Sequence, residues 1–587
     1  MALKRDVLMY LSDFECKENT RLYVPPQKKL LNFDYSDGGR AEKYLLRMLQ
    51  ETQDVSCDSE ELLKKIKDWP SYYHLGQGRA NILRVLKLNS FSKVLELGSG
   101  CGAISRYLGE NFKFIDAVEG SYNRAKIANE RCKRLNNVRF FCSDINDIDF
   151  LPSYDIVTLI GVLEYAPLYI AKPRYEACLS LLNQAKTALK NDGALVIAIE
   201  NKIGMKYWSG SAEDHTGRFY DGIHGYPHEK TVLTFSKSEM QKLLQDAGFK
   251  YIHFYHCFPD YKFASTIFSD VGQDEDLYLH NWIGVPFRDY SPYRKHLFHE
   301  GLALRSLSKA GLLREFANSF TVVASQHESN AALKPDWIAK KITGFPRRTE
   351  YRCMTTLKTE PEMHIEKFRT SNSNSTKKAC QQSISVNHFE EESPWYPGDL
   401  LVFDVYESFF GKDFQNRIIE IFEMFFQHLL DNYATGNADE EGYAMVKGNS
   451  LDFRLSNIVR MEQNLQPIDA EWVATNEIPA DYVLFRCICS DVIGTQYPGI
   501  KTNIGSYEKF TLKLIKHFFP NYNRKRHRNN VKISKELDSS MMVFNPETII
   551  KLTRFDLLRK MGLMKPARAV YDKLPENIRL YIKQMVK

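Results

Sequence analysis

Paired cysteines are the first thing this chain lacks. Its 11 cysteines are scattered, no CxxC occurs, and the closest pair is Cys487 and Cys489. That spacing excludes a disulfide framework or a zinc ribbon and leads us to expect the reduced thiols of a cytoplasmic protein. Long apolar runs are also missing. The start, MALKRDVLMYLSDFECKEN, has no apolar stretch fit for a signal peptide. No segment approaches the roughly 18–20 apolar residues of a membrane span. The chain is therefore expected in the cytosol, at most peripheral at the inner face of the cell membrane. No internal repeat and no sustained heptad occur, which excludes a solenoid or a long coiled coil. What is present is length: 587 residues, room for roughly three or four domains at about 150 residues each. Apolar residues make up 43% and charged residues 26%, and the net charge is +6. The charge is uneven. Residues 506–587 hold 19 Lys/Arg against 7 Asp/Glu, a local +12 that leaves −6 for the rest. Such asymmetry points to an anionic partner such as a membrane surface, or to a solvated helical face.

Periodicity divides the chain into five parts. Residues 1–70 read as a helical N-terminal extension, with KYLLRMLQ and ELLKKIKDW at helical spacing. From KVLEL to KYIHFYHCF, strand and helix patterns alternate over residues 71–270, which argues an α/β doubly wound parallel sheet of Rossmann type. Residues 271–334 read as a helical linker. A second composition, over 335–505, has short β-type runs (DWIAKKIT, EYRCMTTLK, MHIEKF), the polar run RTSNSNSTKKACQQS and a long helix, DFQNRIIEIFEMFFQHLLDNY, then a loop-rich segment. It is expected to be α+β. Residues 506–587 form a basic helical tail, in which Asn545-Pro546-Glu547 would open a last helix.

The turn after KVLEL carries Glu96, Gly98, Gly100 and Gly102. Glycines there let the backbone approach a ligand closely, and the following helix adds oriented N–H groups. The second strand ends in Glu119, placed to accept ribose hydroxyls. The third ends in Ser143-Asp144, within reach of an adenine amino group, with Ile145 beside it. The fourth ends in IGVLEYA, with Gly161 and Glu164 at the carboxyl edge. These four strand ends, in this order, resemble the class I S-adenosylmethionine (SAM)-dependent methyltransferases, and the resemblance implies SAM binding at Gly98, Gly100, Glu119 and Asp144. YYHLGQGRANILR, before the first strand, puts His74 and Arg79 over the cofactor. ENKIGMKYWSGSAEDHTGRFYDGIHGYP, after the fifth, would cover the carboxyl edge as a substrate lid, with His215 as a candidate general base or phosphate contact.

Residues 447–472 read KGNSLDFRLSNIVRMEQNLQPIDAEW. Asp452 and Asn457 are spaced as Asp and Asn are in the kinase pattern HRDxxxxN, and Asp469 follows after a short strand-like stretch. The chemistry needs these types. One carboxylate orients a hydroxyl, Asn457 and Asp469 would hold Mg²⁺ on the phosphates of ATP, and Arg454 would meet the transferred phosphate. IDAEW resembles the metal-binding segment of choline-kinase and aminoglycoside-phosphotransferase folds. Lys367, in MHIEKF, would then pair the phosphates, with its acidic partner open among Glu390, Glu391 and Glu392. The hairpin before it has one glycine, Gly344, and Ser450-Leu451 replaces the His of the loop.

The order methyltransferase then kinase-like domain resembles the bacterial bifunctional enzymes that terminate O-antigen polysaccharides. That resemblance implies phosphorylation of a terminal sugar and methylation of the new phosphate, with a glycan or glycolipid-linked polysaccharide as acceptor. Polysaccharide glycosyltransferases would be partners, and an anionic membrane surface would meet the basic tail. Other classes remain open. One is a methyltransferase acting directly on a sugar hydroxyl beside a non-catalytic kinase-like module, another a scaffold for polysaccharide synthases. An RNA methyltransferase would use the run RKRHR, but no RNA-binding module accompanies it and no nucleic-acid partner is expected.

Overall fold

In the computed structural model, residues 8–18, 20–26, 35–228, 231–287, 294, 296–344, 347–370, 386–388, 391–461, 464–495, 504 and 506–543 are described. Most of the polar run after Arg369 and the helix expected from Asn545 lie outside them.

One sheet organises the molecule. In chain order its strands are β1 (Glu15–Cys16), β2 (Leu22–Val24), β3 (Lys93–Leu97), β4 (Phe114–Glu119), β5 (Val138–Cys142), β6 (Tyr154–Ile160), β7 (Leu189–Glu200), β8 (Tyr251–Phe258), β9 (Thr266–Phe268), β10 (Ser319–Ser325), β11 (Trp337–Thr343), β12 (Cys353–Lys358) and β13 (His364–Arg369), with a last edge strand, Glu391–Pro394. Their spatial order is β1-β2-β5-β4-β3-β6-β7-β10-β8-β9-β11-β12-β13-edge. From β2 to β7 every neighbouring pair is parallel. The cause is visible in the sequence: runs such as VLEL and ALVIAIE are buried on both faces, as parallel strands covered by helices must be.

Three expected boundaries change. The segment 271–334 is not a helical linker. Its run SFTVVAS is β10, wholly buried, and it inserts antiparallel between β7 and β8. A short apolar run without periodicity fits a buried strand as well as a helix segment, and the amphipathic helix Glu300–Lys309 nearby obscured it. The extension 1–70 is not all helical either, since β2 continues the sheet alongside β5 (Leu22↔Phe140). Third, the sheet does not stop near 270. β8 pairs with β9, β9 with β11, and β11 with β12 and β13, so both halves of the chain share one sheet.

The second half has its own apolar core. The expected long helix is present as Phe414–Tyr433, and its Ile418, Ile421, Phe422, Phe425 and Leu429 recur every three or four residues on the buried face. The segment after it, expected to be loop-rich, includes the helix Ala480–Cys487 running into a π-helical turn, Ile488–Ile493. The first part of the basic tail also belongs to this core. The helices Tyr507–Phe518 and Arg524–Met541 pack Leu514, Ile515, Leu537 and Met541 against it. Arg526, in the run RKRHR, bonds buried Asp481 through two nitrogens at 2.8 and 2.9 Å and Asp439 at 2.8 Å. Its charge is spent inside the fold. Arg524, Lys525 and Arg528 remain exposed.

Candidate functional site

The glycine turn sits where the first parallel strand gives way to the helix Ala103–Asn111. Gly98, Gly100 and Gly102 all have positive φ, +84°, +57° and +82°. A Cβ on Gly98 would lie 2.4 Å from Val162 Cγ2, and one on Gly102 would lie 2.8 Å from the backbone of Ala128. Positive φ, with the Val162 side chain packed against Gly98 and the Ala128 backbone against Gly102, is why these positions are glycine.

Around this turn opens a cavity of about 430 Å³. His74, Arg79, Glu96, Gly98, Gly100, Glu119, Asp144, Ile145, Gly161 and His215 all line it, so the strand ends named from sequence converge on one space. Gly102 and Glu164 are not among the residues that line it. The Glu119 carboxylate accepts from the backbone N–H of Gly100 at 2.7 Å and of Ser121 at 3.0 Å, which holds the acid at the end of β4 against the turn. Asp144 accepts from Asn146 N at 2.9 Å. Glu96 is buried and accepts from Ser105 Oγ; burial, only partly offset by that hydrogen bond, pushes its carboxyl up to about 7.

Several lining residues carry no sequence signal that could have found them. Tyr35 and Asp37 come from the N-terminal extension and close over the cavity. Asp37 Oδ2 meets His74 Nε2 at 2.9 Å. Burial opposes charge on both partners, but for Asp37 the His74 bond and Arg124 override it, leaving the carboxyl at about 2. For His74, Cys101 and Asp37 override burial and bring the imidazole to about 9. Arg79 donates to Lys262 O at 3.1 Å and to Tyr73 Oη at 3.0 Å, fixed from both sides.

The segment after β7 does cover the carboxyl edge, and it contributes Ala212, Glu213, Asp214, His215 and Gly217 to the cavity. Within it, His215 is enclosed by acids. Nδ1 meets Glu213 Oε1 at 2.9 Å, while Nε2 stands 3.6 Å from Glu164 Oε1 and 3.7 Å from Glu200 Oε2. Burial opposes protonation, yet these carboxylates raise the imidazole pKa well above its ordinary value. Beside it, Asp214 bridges Lys206 at 2.8 Å and Lys262 at 2.7 Å, and Lys262 also pairs with Glu200.

The second constellation gathers as well. Lys367, on β13 and 3% exposed, ion-pairs with Asp469 and lies 3.2 Å from Glu471 Oε2. Two acidic partners among the described residues therefore come from the segment IDAEW; the side chains of Glu390 and Glu391 lie outside them. Asn457 Nδ2 donates to Asp452 O at 3.0 Å and lies 3.5 Å from Asp469 O. Buried Asp452 accepts from Trp472 N at 3.0 Å, and Arg486 stands 3.6 Å from its other oxygen. Burial raises the Asp452 carboxyl pKa, against the pull of Arg454 and Arg486. Asp469 has φ +58°. A non-glycine residue in the left-handed region is held there by its surroundings, as happens at functional sites.

Residues 51–254 match the methyltransferase domain family, so this part of the chain is a methyltransferase domain and the protein an enzyme. No curated protein matches. Among solved structures, a SAM-dependent methyltransferase of Thermotoga maritima is similar at 16% identity over 43% of this chain and 91% of its own, with a TM-score of 0.26. One from Aquifex aeolicus is similar at 19% identity over 33% and 89%, TM-score 0.24. Phosphoethanolamine N-methyltransferase 2 of Haemonchus contortus, solved with phosphomonomethylethanolamine and S-adenosylhomocysteine, is similar at 15% identity over 43% and 53%, TM-score 0.26. No helix among the described residues is long and apolar enough to cross a membrane.

Proposed function

We propose that the chain couples its SAM-dependent methyltransferase to a kinase-like phosphoryl-transfer site, and that the two act in turn on the end of a surface polysaccharide at the cytoplasmic face of the membrane. The residues around the glycine turn fit SAM. The cavity falls in the usual range for a ligand of this size, roughly 300–1,000 Å³, and Glu119 and Asp144 reach it from successive strand ends. SAM supplies a methyl group on a sulfonium. The chain's own part is alignment, with the lid closing over the carboxyl edge to exclude water.

The observation that carries the second half is the convergence of Lys367, Asp452, Asn457 and Asp469 from sequence positions up to 102 apart. Asp469 and the side-chain oxygen of Asn457 are hard ligands suited to Mg²⁺, Lys367 is suited to phosphate, and Asp452 would orient the acceptor hydroxyl. In this reading the basic segment from Ser506 adds peripheral contact with an anionic membrane surface, through exposed residues such as Lys525 and Arg528.

The test is to supply a mannose-type oligosaccharide with ATP, then SAM, and follow mass. A gain of about 80 Da should need ATP, and a further gain of about 14 Da should need SAM. Asp469→Ala should abolish both. If the smaller gain alone appears and survives Asp469→Ala, the methyltransferase acts directly on a sugar hydroxyl and the kinase-like module is not catalytic. If neither appears while SAM binds, the scaffold reading takes over.

A further inference from the structure

We propose that Glu164, Glu200 and His215 form a binding site for a first-row divalent metal ion between the sheet edge and the lid. The three residues come from separate elements: Glu164 follows β6, Glu200 ends β7, and His215 lies on the lid. One ligand atom of each lies within 4.8 Å of the others. The two separations from His215 Nε2, 3.6 and 3.7 Å, are those spanned by ligands about 2.1 Å from a common ion at angles of roughly 120°, a little wider than tetrahedral.

A second observation is independent of this proximity. Glu164 and Glu200 are wholly buried, yet both oxygens of Glu164 and Oε2 of Glu200 lack a hydrogen-bond partner. Buried carboxylate oxygens left in that state are costly, and a cation at their centre satisfies them. His215 is also oriented as a metal ligand. Its Nδ1 meets Glu213 Oε1, so a proton on Nδ1 leaves Nε2 free for the ion, and a carboxylate behind a ligating imidazole fixes its tautomer. The charges agree. Glu164, Glu200, Glu213 and Asp214 face Lys206 and Lys262, which leaves two negative charges with a neutral imidazole. One divalent ion neutralises them.

One nitrogen and two carboxylates favour Mn²⁺, Fe²⁺ or Zn²⁺ over an all-oxygen ion. Such an ion ties the lid to β6 and β7. It also sets a Lewis acid beside the cavity wall that His215 forms, where an acceptor oxygen would be polarised. The inference goes beyond the acceptor proposed above and does not depend on it.

The experiment strips the full-length chain with EDTA and titrates it with MnCl₂ in the absence of ATP, reading free Mn²⁺ by electron paramagnetic resonance. In an Asp469→Asn background, which removes the metal site proposed beside ATP, one ion should bind, and Glu164→Gln or Glu200→Gln should weaken it roughly tenfold or more. Pulsed measurements on the wild-type chain should show nitrogen coupling from one imidazole, so the result does not rest on variants that must fold. No binding up to millimolar Mn²⁺, affinity indifferent to both glutamines, or bound Mn²⁺ without nitrogen coupling would overturn the site. SAM titration of the stripped chain separates that outcome from failure of the methyltransferase reading.

Discussion

Substituting Gly98 tests the turn on which the cavity is built. Alanine at this φ of +84° takes a left-handed conformation, which costs about 1–2 kcal/mol. Its Cβ would also stand 2.4 Å from Val162 Cγ2, and overpacking of that kind costs about 1–3 kcal/mol more. Gly98→Ala should therefore destabilise by about 2–5 kcal/mol in total. Val162→Ala removes the opposing methyl group and by itself loses about 1 kcal/mol of packing. In the double variant only the backbone cost and this lost packing remain, so the pair should show a coupling of about 1–3 kcal/mol in its favour. Gly100→Ala is the control: its Cβ meets only the end of the flexible Arg124 side chain, at 3.0 Å, so it should cost about 1–2 kcal/mol. Urea denaturation of all the variants gives the energies, and SAM titration shows whether binding follows. Additivity of Gly98→Ala and Val162→Ala within about 0.5 kcal/mol would refute the contact, and with it the packing of the turn against the end of β6.

Three further outcomes are expected. Burial raises the Glu96 carboxyl from its ordinary 4.5 to about 7, so the folded chain holds a proton that the unfolded chain has lost between those values; the stability this group gives is fully present below pH 4.5 and lost as pH rises through 7, and Glu96→Gln should remove about 3 kcal/mol of that decline in urea midpoints taken from pH 5 to 8. Arg526→Ala leaves buried Asp481 with Asn530 as its remaining polar contact from that helix, and should cost about 3–5 kcal/mol in chemical denaturation. Glu119→Ala takes away the acceptor at the end of β4 and, by the cost of a lost charged hydrogen bond, should weaken SAM by roughly tenfold or more in calorimetry while the fold persists.

The sequence made β3 to β7 readable because strand-like apolar runs there mostly alternate with helical segments. It also located the cavity, since glycines and acids at strand ends are where an open α/β sheet places a ligand. What it hid depends on long-range pairing. β10 is seven residues from a distant part of the chain, inserted between strands that precede it, and nothing local in SFTVVAS tells which neighbours it takes. Asp37 meets His74 from 37 residues away. The acidic partner of Lys367 could not be chosen from local spacing, because Glu471 reaches it from 104 residues further along. His215 was legible as a lid residue, but its neighbours Glu164 and Glu200 were not, because only the folded sheet edge brings them beside it.

The strand pairs β8–β9 and β9–β11 carry one sheet from the first half of the chain into the second. Two modules on a flexible linker can visit one another, and their mutual effective concentration is set by linker length. Here a hydrogen-bonded ladder, not a linker, joins the element that carries Lys367 to the sheet of the glycine turn. If the two proposed steps act in turn, that ladder holds their sites in one frame, and the proposal then favours an acceptor long enough to reach from one to the other.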